Sequence, residues 1–226
     1  MSLRYRVISI GALSKNRFWG ETQPKRFPHA TTTLIYDGPQ TILVDPSLPA
    51  EVLAQRLEER SALTPDKIQA VFLTTFRPVH RRSLALFSGA TWLMHGPEIE
   101  AVKDHLREMQ ERAREDSGDS ELRRLLDEEL SLLSRIEPAP EHLTPQVHLF
   151  PAIGASPGSA GLLLALPTQT TVIAGDAIVT QDHCSAGQVY EHVALIEEAR
   201  KSFADIVEVA DEVVPGHDNV FRTGLA

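Results

Sequence analysis

The chain has 226 residues, of which 42% are hydrophobic, so it can bury the core of one large α/β domain or of two small ones. Its formal charge is −9, and residues 98–141 alone carry 14 acidic and 7 basic side chains, which argues against nucleic-acid binding. Cys184 is the only cysteine, which excludes an intrachain disulfide or a cysteine-rich zinc cage, and the lack of a signal-peptide pattern or a long apolar segment predicts a soluble, cytoplasmic protein that does not bind membranes.

The N-terminal part is predicted to be mainly β-structure. Residues 4–10 alternate like a strand, and the β-rich runs 31–36 and 41–45 flank a turn that contains Gly38. Residues 49–60 have helical spacing, and 69–74 form a short apolar strand. The stretch VFLTTFRPVHRRSLALF covers residues 71–87 and begins inside this strand. After the strand it is predicted to form a loop and then a helix at about 81–87.

The middle of the chain is predicted to contain a helical hairpin. A strand at 92–95 precedes a long charged helix at 97–114, which the polar run 116–120 interrupts. A second helix follows, and its apolar stripe comprises Leu122, Leu125, Leu126, Leu133 and Ile136. We interpret the hairpin, at about 98–140, as an insertion packed on its own domain; the alternative is a homodimer contact.

The C-terminal part is predicted to return to β-structure. Strands are expected at 146–150, 161–166, 171–174 and 212–214, with a helix at 189–203. We find no internal repeat. The simplest organisation is one domain over residues 1–226 with an inserted hairpin.

Two possible nucleophiles are rejected. Ser156 lies in a GxSxG pattern, but the next residue is Pro157, which has no N–H to donate to an oxyanion. Cys184 follows His183 in the sequence, but neighbours on an irregular segment need not point the same way, and we expect an unreactive thiol.

Three polar residues at predicted strand ends form a stronger pattern. His80 follows the strand at 69–74, Asp176 ends the strand at 171–174, and His217 follows the strand at 212–214. Loops at strand ends commonly carry the functional groups of α/β proteins. His95 and His183 are open candidates for the same cleft.

Several segments together resemble the metallo-β-lactamase superfamily. TTTLIYDGPQTILVDPSL resembles its opening hairpin, with Asp45 at the usual acidic position, and GASPGSAGLLLAL resembles the segment that normally reads GHTPGS. VIAGDAIV supplies Asp176 at the bridging aspartate, and VVPGHDNVF supplies His217 at the last histidine. The resemblance implies a four-layer αββα sandwich of two mixed β-sheets and a metal-dependent hydrolase activity.

The same resemblance shows that most of the family's metal ligands are absent. In TFRPVH, Thr75 and Arg77 stand at the first two histidines of HxHxDH, Val79 stands at its aspartate, and only His80 matches. Ala155 replaces the histidine before the SPGS turn. All three imidazoles of one metal site are therefore missing.

The remaining residues allow two functions. In the first, His80, Asp176 and His217 hold one Zn²⁺, or Fe²⁺ or Mn²⁺, for hydrolysis of a small ester, lactone, thioester or amide. The proton acceptor is Asp176 or a group that the sequence does not identify.

In the second, no metal is bound and the protein is catalytically inactive. Arg77 pairs with Asp176 in place of a metal ion. The cleft then binds an anionic ligand beside Arg77, Arg81 and Arg82, or the hairpin binds a protein partner.

Overall fold

The computed structural model describes residues 3–115 and 120–224 and contains two six-stranded mixed β-sheets. The first sheet has the order β1-β2-β3-β4-β5-β6, in which β1 to β3 are antiparallel and β3 to β6 are parallel. Its strands are β1 (Arg4–Ser9), β2 (Thr32–Asp37), β3 (Gln40–Val44), β4 (Ala70–Leu73), β5 (Thr91–Met94) and β6 (Ile136–Pro138).

The second sheet runs in the order β12-β11-β10-β9-β8-β7. Its neighbouring strands are antiparallel except for β10 and β11, which are parallel and therefore end at the same edge. Its strands are β7 (His142–Thr144), β8 (Val147–Pro151), β9 (Ala160–Leu166), β10 (Gln169–Gly175), β11 (Glu212–Pro215) and β12 (Phe221–Arg222).

The two sheets face each other across an apolar core. Ile35, Val44 and Phe72 of the first sheet pack in the same cluster as Leu162 and Ile173 of the second. This arrangement follows from the parallel strands of the first sheet, which carry apolar residues on both faces.

Helices cover the outer face of each sheet. They are α1 (Ala50–Ser61), α2 (Gly96–Glu115), α3 (Ser120–Leu133), α4 (Gln181–Ser185) and α5 (Ile196–Val209). Leu53 and Leu57 of α1 pack on the first sheet, and Ile206 of α5 packs on the second. The predicted αββα sandwich of two mixed sheets is confirmed. In the described part of the chain, no helix is long and apolar enough to cross a bilayer.

The helical hairpin forms the crossover between the parallel strands β5 and β6. Leu126 and Leu133 of α3 are buried in the core cluster of the first sheet, whereas Leu125 is 45% exposed. Ile136, assigned to the helical stripe from sequence, lies instead in β6, where it pairs with Trp92. The predicted break at 116–120 falls largely outside the described residues, and a dimer contact through the hairpin stays a prediction.

Two predicted helices are wrong in extent. Residues 81–87 form no α-helix: 3₁₀ turns occupy Pro78–His80 and Leu84–Phe87. The N–H of Ser83 donates to Pro46 O at 2.9 Å, so a tertiary hydrogen bond replaces a helical one there. The helix predicted at 189–203 begins only at Ile196, because the N–H groups of Ala194 and Leu195 donate to Gly154 O.

Candidate metal centre

Three strand ends bring His80, Asp176 and His217 together at one edge of the sandwich. Asp176 directly follows β10 and His217 lies two residues after β11, its parallel neighbour. His80 lies in the 3₁₀ turn after β4. Gly216 permits the close approach, since a Cβ at this position would lie 2.9 Å from Asp176 Oδ1.

The carboxylate of Asp176 joins the two imidazoles. Its Oδ1 lies 3.2 Å from Nε2 of His80 and 3.2 Å from Nε2 of His217. All three side chains are buried, and their ligand atoms lie within 4.8 Å of one another. No other group of three His, Cys, Asp or Glu side chains in the described ranges meets this geometry. The structure thus brings together the three predicted ligands.

Asp45 orients the ring of His80. Its Oδ2 lies 2.9 Å from Nδ1 of His80, and the same carboxylate accepts hydrogen bonds from Thr74 N at 2.9 Å and Thr74 Oγ1 at 2.7 Å. An ionised carboxylate only accepts, so Nδ1 of His80 carries the proton. The ring therefore presents Nε2 to Asp176. Carboxylates that hold metal-binding histidines in this way are common around metal sites.

A backbone carbonyl orients the ring of His217 in the same sense. Nδ1 of His217 lies 2.9 Å from His29 O and 3.3 Å from Ala12 O. Because a carbonyl can only accept, Nδ1 is the donor and Nε2 faces the trio. Both rings are thus held with Nε2 toward Asp176 Oδ1.

Opposite charges shift the pKa values of His80 and Asp176 strongly. Burial disfavours a charge on His80, but the carboxylates of Asp176 and Asp45 outweigh it and raise the pKa of His80 to about 10. Burial would raise the pKa of Asp176, yet the neighbouring imidazoles of His80 and His217 hold it well below its usual range. Without a metal ion, His80 is therefore a cation between two carboxylates.

The residues present fit one metal ion. His80 Nε2 and Asp176 Oδ1 are buried, and neither makes a hydrogen bond of acceptable geometry within the described residues, although they lie only 3.2 Å apart. Adjacent ligands of a tetrahedral ion lie about 3.3 Å apart for metal–ligand bonds near 2.0 Å. A short distance between Nε2 and Oδ1 without hydrogen-bond geometry is expected when the lone pairs of both atoms bind the same metal ion. Two imidazoles and one carboxylate suit Zn²⁺ or Fe²⁺.

Arg77 binds the other oxygen of Asp176. Its Nη1 donates to Asp176 Oδ2 at 2.7 Å, and its Nη2 donates to Ala155 O and, at 3.1 Å, to His192 O. Arg77 therefore points toward Asp176, as expected if it pairs with this carboxylate in place of a metal ion. Asp176 faces two imidazoles with Oδ1 and a guanidinium with Oδ2.

A buried glutamate, Glu98, lies beside the residues that stand at the missing family imidazoles. It accepts hydrogen bonds from Thr75 Oγ1 at 2.7 Å, from Ser156 Oγ at 2.7 Å, and from the N–H groups of Phe76 and Gly158 at 3.2 and 3.0 Å. Glu98 is only 1% exposed. Sequence reasoning missed it, because Glu98 stands in the first turn of a highly charged helix, and only that N-terminal position marked it out.

The three arginines of the segment after β4 have different partners. Arg81 forms an ion pair with Glu129, donates to Phe76 O at 2.6 Å and stacks on the Phe76 ring. Arg82 is exposed and donates to Pro28 O at 3.4 Å. Arg77 and Arg81 line one cavity, which Arg82 does not line, and binding of an anionic ligand beside the three arginines stays a prediction.

The other candidate residues lie outside the trio. Nδ1 of His95 lies 2.8 Å from Gly158 O, and Nδ1 of His183 lies 2.8 Å from Thr180 Oγ1. Burial raises the pKa of the Cys184 thiol, which disfavours the nucleophilic thiolate.

A family model described as the metallo-beta-lactamase superfamily matches residues 27–217. No curated protein sequence matches the chain. Among solved structures, a candidate metallo-beta-lactamase from Thermotoga maritima has a TM-score of 0.69 at 18% identity and covers 98% of this chain and 100% of its own.

Two further solved structures are also similar. AidC, described as a dizinc quorum-quenching lactonase, has a TM-score of 0.63 at 14% identity, with 83% of this chain and 72% of AidC covered. A mutant of AiiA from B. thuringiensis, with N-decanoyl-L-homoserine at its active site, has a TM-score of 0.64 at 17% identity, with 96% and 93% covered. At these identities the likeness shows the fold alone.

Proposed function

The chain belongs to the metallo-beta-lactamase superfamily, and we propose that it is a hydrolase that uses one metal ion, held by His80, Asp176 and His217. The observation that carries the proposal is the convergence of three buried ligand atoms. In each imidazole, Nδ1 donates a hydrogen bond to an oxygen outside the trio, which holds Nε2 toward the site. A bound Zn²⁺, or Fe²⁺ or Mn²⁺, would polarise a substrate carbonyl and acidify a water molecule.

Arg77 takes the place of the second cation in this proposal. It neutralises Asp176 Oδ2 from the side on which three imidazoles are missing. Its guanidinium also offers a fixed positive charge beside the site, of the kind that stabilises a developing oxyanion. With one metal ion bound, Asp176 would therefore lie next to two positive charges, the ion and Arg77.

Asp176 is better suited to hold the ion than to accept a proton. Its Oδ1 faces His80 and His217, and its Oδ2 is bound to Arg77. Both oxygens are committed, so the expectation that Asp176 serves as the base loses support. The chain offers no equally placed base at Val79, where the family has an aspartate.

For the substrate we propose a small ester, lactone, thioester or amide. Lactones come first because one similar structure is described as a lactonase and another holds N-decanoyl-L-homoserine at its active site.

A second candidate function is metal-free ligand binding. The charges in the site favour it. A protonated His80 lies between the carboxylates of Asp45 and Asp176, and Arg77 binds Oδ2 of Asp176. These two cations balance the two carboxylates without a metal ion. In this case the chain would be a non-catalytic member of its family.

Elemental analysis of the purified protein decides between the two. The hydrolase proposal expects about one Zn²⁺, Fe²⁺ or Mn²⁺ per chain, lost in His80→Ala and His217→Ala. His105→Ala, which removes an exposed histidine of α2, is the matched control and should keep the metal. A folded wild-type protein that stays empty after each of these ions is added would overturn the proposal. Hydrolysis of a lactone, ester, thioester and amide panel then tests the activity.

A further inference from the structure

A cavity of about 540 Å³ lies beside the candidate metal centre. Its walls come from the loop after β4, the Pro157 turn and the first half of α2, with Glu129 of α3 at one side. This volume lies within the range of small-molecule sites, about 300–1,000 Å³. The metal-binding trio does not line it.

The cavity lies where the family's three missing imidazoles would hold a metal ion. Thr75, Arg77 and Ala155, which stand at the three missing imidazoles, all line it. Two of these side chains are smaller than histidine, so their replacement leaves space rather than ligands. Arg77 both lines the cavity and contacts Asp176, so it separates the cavity from the trio.

The charges on the cavity wall cancel. Arg77 and Arg81 are positive and Glu98 and Glu129 are negative, and each already has a partner in the protein. An anionic ligand would gain no net attraction and would compete with these carboxylates. The charge balance therefore favours a neutral ligand over the anionic ligand expected from the three arginines.

The remaining wall is mainly apolar. Phe76, Pro78, Val102, Leu106 and Pro157 contribute carbon surface to it. Removing such surface from water favours the binding of an apolar ligand. A ligand that fills the cavity should thus be apolar along most of its length.

We propose that this cavity binds the neutral, apolar acyl group of the substrate, with its carbonyl at the Arg77 end. As an assignment of the acyl group this rests on the proposed hydrolase function, whereas binding of an apolar molecule does not. A carbonyl at this end would lie next to Arg77, which lines the cavity and contacts Asp176. The residues that replace the three missing imidazoles would then leave space for part of the substrate, while Arg77 keeps a positive charge beside Asp176.

Binding is tested on EDTA-treated full-length protein, so that the result does not depend on a metal. The probe is the neutral fluorophore N-phenyl-1-naphthylamine, displaced by 1-decanol, with decanoate as the anionic counterpart. Two variants fill the cavity from different walls: Val102→Trp on α2 and Ala194→Trp on the loop before α5. Leu125→Trp adds the same indole to an exposed position of α3 that does not line the cavity.

Saturable probe binding is expected, with displacement by 1-decanol at lower concentration than by decanoate. Both filling variants should weaken binding by about tenfold or more, while Leu125→Trp leaves it unchanged. The proposal is overturned if the probe does not bind, if decanoate displaces it better, or if folded filling variants bind as the wild type does. If the wild-type protein binds the probe but takes up no Zn²⁺, Fe²⁺ or Mn²⁺ when these ions are added without EDTA, the hydrolase proposal fails and the apolar cavity ligand stands.

Discussion

The guanidinium of Arg77 lies 2.7 Å from Oδ2 of Asp176, on the opposite side of the carboxylate from the two imidazoles that contact Oδ1. In a superfamily whose aspartate at this position commonly bridges two metals, one carboxylate here bridges a candidate metal site and an arginine. The arginine is built into the site rather than lying on its surface.

Removing this arginine should destabilise the metal-free protein. Arg77→Met leaves Oδ2 of Asp176 buried without its donor, and we expect the free energy of unfolding to fall by about 1–3 kcal/mol. Urea denaturation measures the change. Arg82→Met removes an exposed arginine of the same segment and should change stability by less than about 0.5 kcal/mol. Equal stability of Arg77→Met and wild type would show that the ion pair contributes nothing.

The same variant should bind zinc more tightly. A fixed positive charge next to Asp176 repels a divalent ion, and Arg77→Met removes it. Added Zn²⁺ should therefore raise the melting temperature of Arg77→Met by more than it raises that of wild type. A smaller rise in the variant would mean that Arg77 supports the ion instead of opposing it.

Asp45 should control metal affinity without touching the ion. Asp45→Asn weakens the hold on Nδ1 of His80 while keeping a residue that tolerates its positive φ of 50°. We expect zinc affinity to fall by about 10–100-fold, measured by competition with a chromophoric chelator. Asp66→Asn, at an exposed carboxylate, is the control. An unchanged zinc affinity in Asp45→Asn would show that Asp45 does not support the metal site.

Glu98 should be a major source of stability. Glu98→Gln replaces one acceptor oxygen by an NH₂ group among donors from Thr75, Ser156 and two backbone amides, so we expect a loss of about 2–4 kcal/mol in urea denaturation. Glu100→Gln changes an exposed glutamate of the same helix and serves as control. Unfolding of both variants at the same urea concentration would contradict this role.

The thiol of Cys184 should react slowly. Burial raises its pKa, so at any pH below that value the folded protein holds less thiolate than a free cysteine does. Alkylation by iodoacetamide at pH 7.5 should be slower than in the urea-unfolded chain, and it should accelerate as the pH rises. A folded-state rate equal to the unfolded rate would indicate an activated thiol.

Much of the fold was predictable because local patterns and tertiary packing agree in the strands. The runs that became β2, β3, β4 and β10 are apolar or alternating and end in turn residues, so their positions follow from the sequence. The predicted helix at 81–87 failed because hydrogen bonds to distant residues, such as that from Ser83 to Pro46, replaced the local helical ones. The late start of α5 has the same cause, since Ala194 and Leu195 bond to Gly154.

Apolar periodicity in the sequence indicated most of the strands and placed His80, Asp176 and His217 at strand ends, and the resemblance of several motifs to the superfamily implied the sandwich and the absence of three metal-binding imidazoles. Tertiary structure alone decided that Arg77 points inward while Arg82 points outward, that Glu98 is buried, and that the missing imidazoles leave a cavity. Side-chain direction in a loop depends on partners far away in the chain, and the partners of Arg77 lie 78 and more residues away. No local pattern encodes such pairings.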